Sequence, residues 1–293
     1  MITDRFVLAD IARPSGGLAM LAIDQREALR NMFTAAGAPA PVPDSALTAF
    51  KLAAARVLSP FASGVLVDKQ FSYDAIVHDG CVVENSALIV AADAFHPGNG
   101  IPVDEVTIDT EITPERARDD GARAMKLLVL WRSDEDPAAR RSVVDRFVRE
   151  CHAQGLLAII EPVVRPPRHG ASIDREHAIL MAAGELGDTD ADLYKGEMPY
   201  GGDADDDTLL DACRSLDSKL SMPWVILSSG VKADLFPNSV RMAIRAGASG
   251  FLAGRAVWAS VIGARNPVQM LADISAPRLR RLGEIVDEEI AGR

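Results

Sequence analysis

The sequence predicts an α/β fold, a single (β/α)8 TIM barrel spanning residues 1–293. Three observations predict it: eight short apolar runs, helical periodicity between most of them, and a length typical of one such barrel. Several runs are continuously apolar rather than alternating, the pattern of strands buried on both faces of a parallel arrangement.

The first strand is read at Leu18–Asp24 and the second at Gly64–Asp68. Between them Leu47, Phe50, Ala54 and Val57 recur at steps of three and four, with Asp44 and Ser45 as N-caps. The third strand is Ala87–Ala92. Phe95–Thr113, which contains His96-Pro97-Gly98-Asn99-Gly100, is expected to be a rim loop. After the fourth strand, Met125–Trp131, Asp136-Pro137 opens a helix that Gly155 closes, with Val143, Phe147 and Cys151 along one face. Leu156–Glu161 is read as ending at Pro162. Ala191–Lys195, Trp224–Ser229 and Gly250–Gly254 complete the eight, and Leu279, Leu282, Val286 and Ile290 mark a final amphipathic helix. The competing architecture is a doubly wound open sheet, but its Gly-x-Gly-x-x-Gly loop is missing after the first strand. No linker, low-complexity tract or internal repeat divides the chain.

A net charge of −11 predicts a surface that repels nucleic acid and anionic membranes, so an anionic substrate needs a local basic pocket. Cys81, Cys151 and Cys213 are odd in number and far apart, as expected of reduced, buried thiols in the cytoplasm. Asp4 and Asp10 interrupt the N-terminus and no apolar run reaches about 18 residues, which argues against a signal peptide and a membrane span. His78, His96, His152, His169 and His177 form no H-x-x-x-H or H-x-E pair, so neither a metal nor another cofactor is expected.

In a barrel, catalytic side chains sit at the carboxyl ends of the strands. Those ends carry Asp24, Gln25 and Arg26, then Asp68 and Lys69, then Lys126, Glu161, Lys195, Ser228-Ser229-Gly230 and Gly254-Arg255. So many polar groups on one rim are too costly for a packed core. Lys195 is either a salt-bridged rim lysine or an amine nucleophile. As a nucleophile it must be neutral, and with an ordinary pKa of about 10.4 only roughly one lysine in a few thousand is so at pH 7. Lowering it by about three units takes around 4 kcal/mol, from burial and a neighbouring cation, for which Lys126 is the candidate.

Glu161 can hold Lys195 electrostatically or move protons during imine formation and carbon–carbon cleavage. Asp24 either binds a substrate hydroxyl or caps the helix after it. Ser228, Ser229, Gly230, Gly254 and Arg255 have the character of a phosphate cradle: small residues let backbone N–H groups approach, and Arg255 adds a forked contact. Arg165 either serves a second anion or coats the rim.

Five stretches carry a family resemblance: Ala22-Ile23-Asp24-Gln25-Arg26-Glu27, Lys126 to Asp136, Ile160-Glu161-Pro162-Val163-Val164-Arg165-Pro166, Trp224 to Val231 and Gly250 to Trp258. Together they resemble the class I aldolases of the tagatose-bisphosphate aldolase superfamily, most closely its sulfofructosephosphate aldolase branch. The resemblance covers nearly the whole chain from Arg13. It implies a barrel that splits 6-deoxy-6-sulfofructose 1-phosphate, a sulfoketose phosphate of sulfoquinovose degradation, into dihydroxyacetone phosphate and sulfolactaldehyde, working as a homo-oligomer, dimer or tetramer. Lys195 would form the Schiff base, with Glu161 and Lys126 as acid–base and electrostatic partners. Ser229, Gly230, Gly254 and Arg255 would hold the phosphate, and Gln25, Arg26 and Arg165 the sulfonate end. Two residues depart from the pattern: Gly196 follows the lysine where a bulkier apolar residue is expected, and Lys69 adds an unexpected charge. A tagatose 1,6-bisphosphate aldolase, or a sugar-phosphate-binding barrel without catalysis, are the alternatives.

Overall fold

The computed structural model describes residues 4–169 and 172–293. In chain order the strands are β1 Leu18–Ala22, β2 Gly64–Val67, β3 Ala87–Ala91, β4 Asp93–Gly98, β5 Ile101–Ile108, β6 Ala124–Trp131, β7 Leu157–Val164, β8 Leu193–Gly196, β9 Trp224–Leu227 and β10 Gly250–Ala253. Eight of them close a parallel barrel in the order β1-β10-β9-β8-β7-β6-β3-β2. This is the (β/α)8 barrel expected from the sequence. Around the closed ring β3 stands opposite β9, and β6 opposite β10.

Helices fill the connections. They are α1 Glu27–Ala35, α2 Asp44–Leu58, α3 Tyr73–His78, α4 Pro114–Asp119, α5 Pro137–Ala153, α6 Arg175–Leu186, α7 Asp206–Asp217, α8 Phe236–Ala246, α9 Arg255–Trp258, α10 Pro267–Met270 and α11 Ala276–Ala291. Among the described residues no helix is long and apolar enough to cross a membrane. The three cysteines are free and buried.

The core divides in two. Met20, Leu66, Ile89, Ile159, Val225 and Leu252 fill the barrel interior, and Ile11 stoppers it from below on the short helical segment Leu8–Ile11. A larger cluster fills the layer between strands and helices, where Leu279, Leu282 and Val286 of α11 are buried as the spacing predicts. Gly250 is required by contact: a side chain there would bring its first carbon within 1.9 Å of the Leu18 carbonyl oxygen.

Four expectations need correction. Phe95–Thr113 is not a loop: most of it belongs to the antiparallel hairpin β4–β5, paired from Asp93↔Ile108 to Gly98↔Ile101. Asn99 and Gly100 turn it with positive φ at both residues, the two-residue geometry that Asn-Gly favours. In α5 the buried face is Val144, Phe147, Val148 and Cys151, and Val143 is 42% exposed. The N-cap of α2 is Pro43, with Asp44 already helical.

Finally, Pro162 does not end its strand. β7 pairs with β6 through Trp131↔Val164. Leu157 and Arg165 donate towards β6, whereas Val164, an even-numbered position, donates in the β8 direction to Glu197. Pro162 shares that parity, so its missing N–H faces β8, which pairs with β7 only at Ile159 and Ile160. No ladder bond is lost.

Candidate active site

A cavity of about 420 Å³ opens at the carboxyl ends of the barrel strands. Asp24, Gln25, Arg26, Glu161, Arg165, Lys195, Ser228, Ser229, Gly254 and Arg255 line it, together with Phe95, Pro97, Pro102 and Val103 of the hairpin. Four of the residues singled out in the sequence do not line it: Lys126, Gly230, Asp68 and Lys69. Lys126 is fully buried beneath the floor, and Gly230 sits exposed in the turn after β9.

Beneath the cavity lies a charge network. The Lys126 ammonium is 2.7 Å from Asp93 Oδ2, 2.9 Å from Asp24 Oδ2 and 3.0 Å from Glu161 Oε2. The other Glu161 oxygen, Oε1, is 2.9 Å from Lys195 Nζ. Arg26 donates to Asp93 Oδ1 at 2.8 Å and stacks 3.9 Å above the Phe95 ring. Three cations, Lys126, Lys195 and Arg26, are thus interleaved with three carboxylates, Asp24, Asp93 and Glu161. All six are nearly or fully buried, a situation that only mutual pairing makes tolerable.

Their protonation follows from the geometry. Burial alone would lower the Lys126 pKa, but Asp24, Asp93 and Glu161 outweigh it and hold the amine well above its ordinary value. Burial likewise opposes ionisation of Asp24, yet Lys126 and Lys195 pull its pKa well below the usual carboxylate range. Lys126 is therefore an ammonium and Asp24 a carboxylate. The sequence made Lys126 a bare cation beside Lys195. Instead its charge is offset by three carboxylates, and the charged contact of Lys195 is Glu161.

On the β9–β10 side, Arg255 donates to the Ser229 hydroxyl and Gly254 N–H donates to Ser228 Oγ at 3.2 Å. Gly254 is there because the chain passes close: a side chain would bring a carbon within 2.5 Å of the Ala22 carbonyl and 2.8 Å of the Gln25 amide nitrogen. Trp258 donates to that same carbonyl at 3.0 Å. Arg165, at the end of β7, donates to the Val164 carbonyl at 3.3 Å and has no carboxylate partner among the described residues. Burial lowers its pKa, with Glu197 opposing.

Gln25 and Arg26, expected together at one end, are split. Gln25 reaches towards Gly254, and Arg26 turns to Asp93 and Phe95 on the hairpin. Both keep a buried polar atom without a partner, Gln25 Oε1 and Arg26 Nε. Asp68 does not reach the cavity either. It pairs with Lys51 in a fully buried ion pair and accepts from Phe71 N–H and the Ser72 hydroxyl, both at 2.9 Å, which fixes the turn before α3. Lys69 turns outward to Asp74 at 2.6 Å. Gly196 leaves no gap under Lys195: a side chain there would meet the Tyr194 ring at 3.3 Å and Leu216 at 3.4 Å.

The residue that sequence reading missed is Asp93. It follows the apolar run of the third strand at once, and a carboxylate directly after a buried strand is the signal that marked Asp24 and Asp68.

A family model for DeoC/LacD family aldolases matches residues 18–260. Tagatose 1,6-diphosphate aldolase 1 of Enterococcus faecalis is 27% identical, with 97% of this chain and 92% of that protein covered. Tagatose 1,6-diphosphate aldolase of Listeria monocytogenes is 28% identical over 87% of this chain and 81% of its own length. A solved archaeal fructose-1,6-bisphosphate aldolase, its catalytic lysine covalently bound to the carbinolamine intermediate, shares the fold with a TM-score of 0.64 at 20% identity, covering 94% of this chain and 96% of that one. With the model matching well over half of its length, the chain belongs to the DeoC/LacD family of aldolases, enzymes of the lyase class.

Proposed function

We propose that this aldolase works through a Schiff base on Lys195. Its substrate in this reading is 6-deoxy-6-sulfofructose 1-phosphate, released as dihydroxyacetone phosphate and sulfolactaldehyde. The observation that carries the first part is the amine of Lys195, 2.9 Å from Glu161 Oε1 on the wall of a rim cavity. An amine and a proton carrier in hydrogen-bond contact are what imine formation requires.

The phosphate is bound by Arg255, Ser229 and the backbone around Gly254, with Ser228 holding that backbone; Gly230 contributes to the turn rather than to the wall. The neutral form of Lys195, its proton passed to Glu161, adds to the C2 ketone. Glu161 returns a proton to the carbinolamine oxygen, water leaves and a protonated imine remains. A base, Glu161 or Asp24, takes the C4 hydroxyl proton. The C3–C4 bond then breaks, its electron pair moving into the enamine while the aldehyde departs. Protonation of C3 and hydrolysis of the imine release dihydroxyacetone phosphate and regenerate the amine. Lys126 holds Asp24 and Glu161 in place between steps and keeps Asp24 ionised.

The sulfonate assignment is supported by the charges left over. Arg26 is committed to Asp93 and Lys69 faces away, which leaves Arg165, three strands around the ring from β10, as the cavity arginine besides Arg255 that has no carboxylate partner among the described residues. Sulfonate carries one charge and phosphate nearly two. A single available cation suits the monoanion. The alternative, tagatose 1,6-bisphosphate, is favoured by the names of the relatives.

Borohydride reduction in the presence of dihydroxyacetone phosphate, followed by peptide mass spectrometry, tests the chemistry. A stable adduct on Lys195, absent from Lys195→Ala, is the expected result. A folded protein that binds the phosphate without forming an adduct would refute the scheme. Comparing kcat/KM for the two ketose phosphates then tests the sulfonate assignment.

A further inference from the structure

We propose that the β4–β5 hairpin sets specificity for the aldehyde half of the substrate, and that Asp104 is the residue that positions it. The inference rests on the cavity being the sugar-phosphate site described above.

The hairpin presents Phe95, Pro97, Pro102 and Val103 to the cavity. It leaves the barrel directly after β3, opposite β9, which leads into Ser228 and Ser229. A ketose whose phosphate lies by Arg255 and whose ketone lies by Lys195 therefore projects its carbons beyond the scissile bond towards this apolar wall. Two prolines in the wall fix φ and stiffen it. A wall of this kind discriminates by shape, with each methylene of misfit worth about 10- to 200-fold.

Two carboxylates hold the hairpin, one at its root and one along its outer strand. Asp93 is the root: it joins Lys126 and Arg26 and accepts the Leu128 N–H at 3.0 Å. Asp104, 7% exposed, is the outer clasp. It accepts from Arg132 at 3.0 Å, Asn99 at 2.7 Å and Arg168 at 3.3 Å, and its backbone carbonyl takes both arginines again at 3.2 and 3.3 Å. Gly98, across the hairpin, makes room for it: a side chain there would bring a carbon within 2.7 Å of Asp104 Oδ2.

The clasp matters because close packing does not replace it. Behind the hairpin, between β5, β6 and α5, lies a second cavity of about 360 Å³. Arg132, Arg140 and Arg168 on its walls all have carboxylate partners, so it offers no spare charge to a ligand. It offers the hairpin room to retreat. Asp104 contacts no part of the catalytic network, so it acts only by where it places the wall.

The test uses full-length enzyme with Asp104→Ala, Asp104→Asn and Val103→Ala. Each is assayed for KM and kcat on both ketose phosphates and for borohydride trapping of dihydroxyacetone phosphate. Asp104→Ala is expected to raise KM about tenfold or more and to narrow the preference between the two substrates. Trapping, which engages only the phosphate half, stays at the wild-type extent. Asp104→Asn, which keeps an acceptor for Arg132, recovers most of the loss. Val103→Ala alters the preference with the clasp intact. A folded Asp104→Ala with unchanged KM and preference overturns the proposal, as does one that loses trapping and cleavage in equal measure. If Asp104→Ala fails to fold, an unchanged preference in Val103→Ala overturns it instead. Failure of the wild-type enzyme to trap dihydroxyacetone phosphate sinks the reading of the cavity itself and the hairpin's role with it, whereas normal trapping confines any failure to the hairpin.

Discussion

Lys126 and Lys195 share Glu161, one ammonium on each carboxylate oxygen, at 3.0 and 2.9 Å. The two lysines have opposite surroundings beyond that bridge. Lys126 has two further carboxylates, Asp24 and Asp93, and no exposure, while Lys195 lines the cavity. Lys126 keeps its charge and Glu161 stays within reach of whatever Lys195 binds.

Glu161→Gln keeps the shape of the bridge and removes its charge and its proton-carrying capacity. Turnover is expected to fall about 10²- to 10⁴-fold, with adduct formation on Lys195 slowed in parallel. Single-turnover cleavage checks this, and a variant near the wild-type rate would assign proton transfer elsewhere.

Lys126→Met has a different signature. It leaves Asp24, Asp93 and Glu161 facing one another in a dry interior, and removing one partner from such a cluster costs about 3–5 kcal/mol. Urea denaturation should show a loss of that order. A loss under about 1 kcal/mol would mean that water enters the network.

The depressed pKa of Asp24 makes stability depend on pH. A carboxyl whose folded pKa lies below its unfolded value stabilises in full above the ordinary 3.8, and that stabilisation is lost as the pH falls through the lower folded value. Asp24→Asn lacks this term. Urea midpoints of wild type and variant, followed from about pH 6 down to about pH 2.5, should therefore converge at the acid end. Parallel curves would contradict the depressed value.

Arg255→Lys retains a charge but not the planar fork that reaches Ser229. KM for the ketose phosphate should rise roughly ten- to a hundredfold with a smaller change in kcat. Steady-state kinetics would decide, and an unchanged KM would place the phosphate elsewhere on the rim.

Much of this was legible in the sequence. The barrel strands announce themselves as continuous apolar runs, and the charged residues at their ends, Asp24, Lys126, Glu161 and Lys195, do come together. The hairpin was not read, because Pro97 and the glycines around Asn99 mask the alternation of its strands. The Asn99-Gly100 turn was the available signal. Asp93 is hidden with it, because the apolar run of the third strand closes on Ala91 and Ala92 and the aspartate falls just outside it. Asp68 and Lys69 show the reverse error: a polar residue at a strand end belongs to the site only if its side chain points inward, and strand position alone does not say that. Lys51, deep in α2, turns Asp68 away from the cavity.

The short pairing of β8 has a mechanical consequence. Its ladder to β7 stops at Ile160↔Tyr194, but its ladder to β9 continues through Lys195↔Val225 and Gly196↔Ile226. The backbone of Lys195, the proposed nucleophile, is therefore stitched to the strand that leads into the proposed phosphate cradle and unstitched from the strand that carries Glu161. In the Schiff-base reading, the span from Lys195 to the phosphate would be the fixed measure against which a substrate is held. The span from Lys195 to Glu161 would be the adjustable one, without ladder bonds to resist it as the carbon on the amine passes between planar and tetrahedral forms.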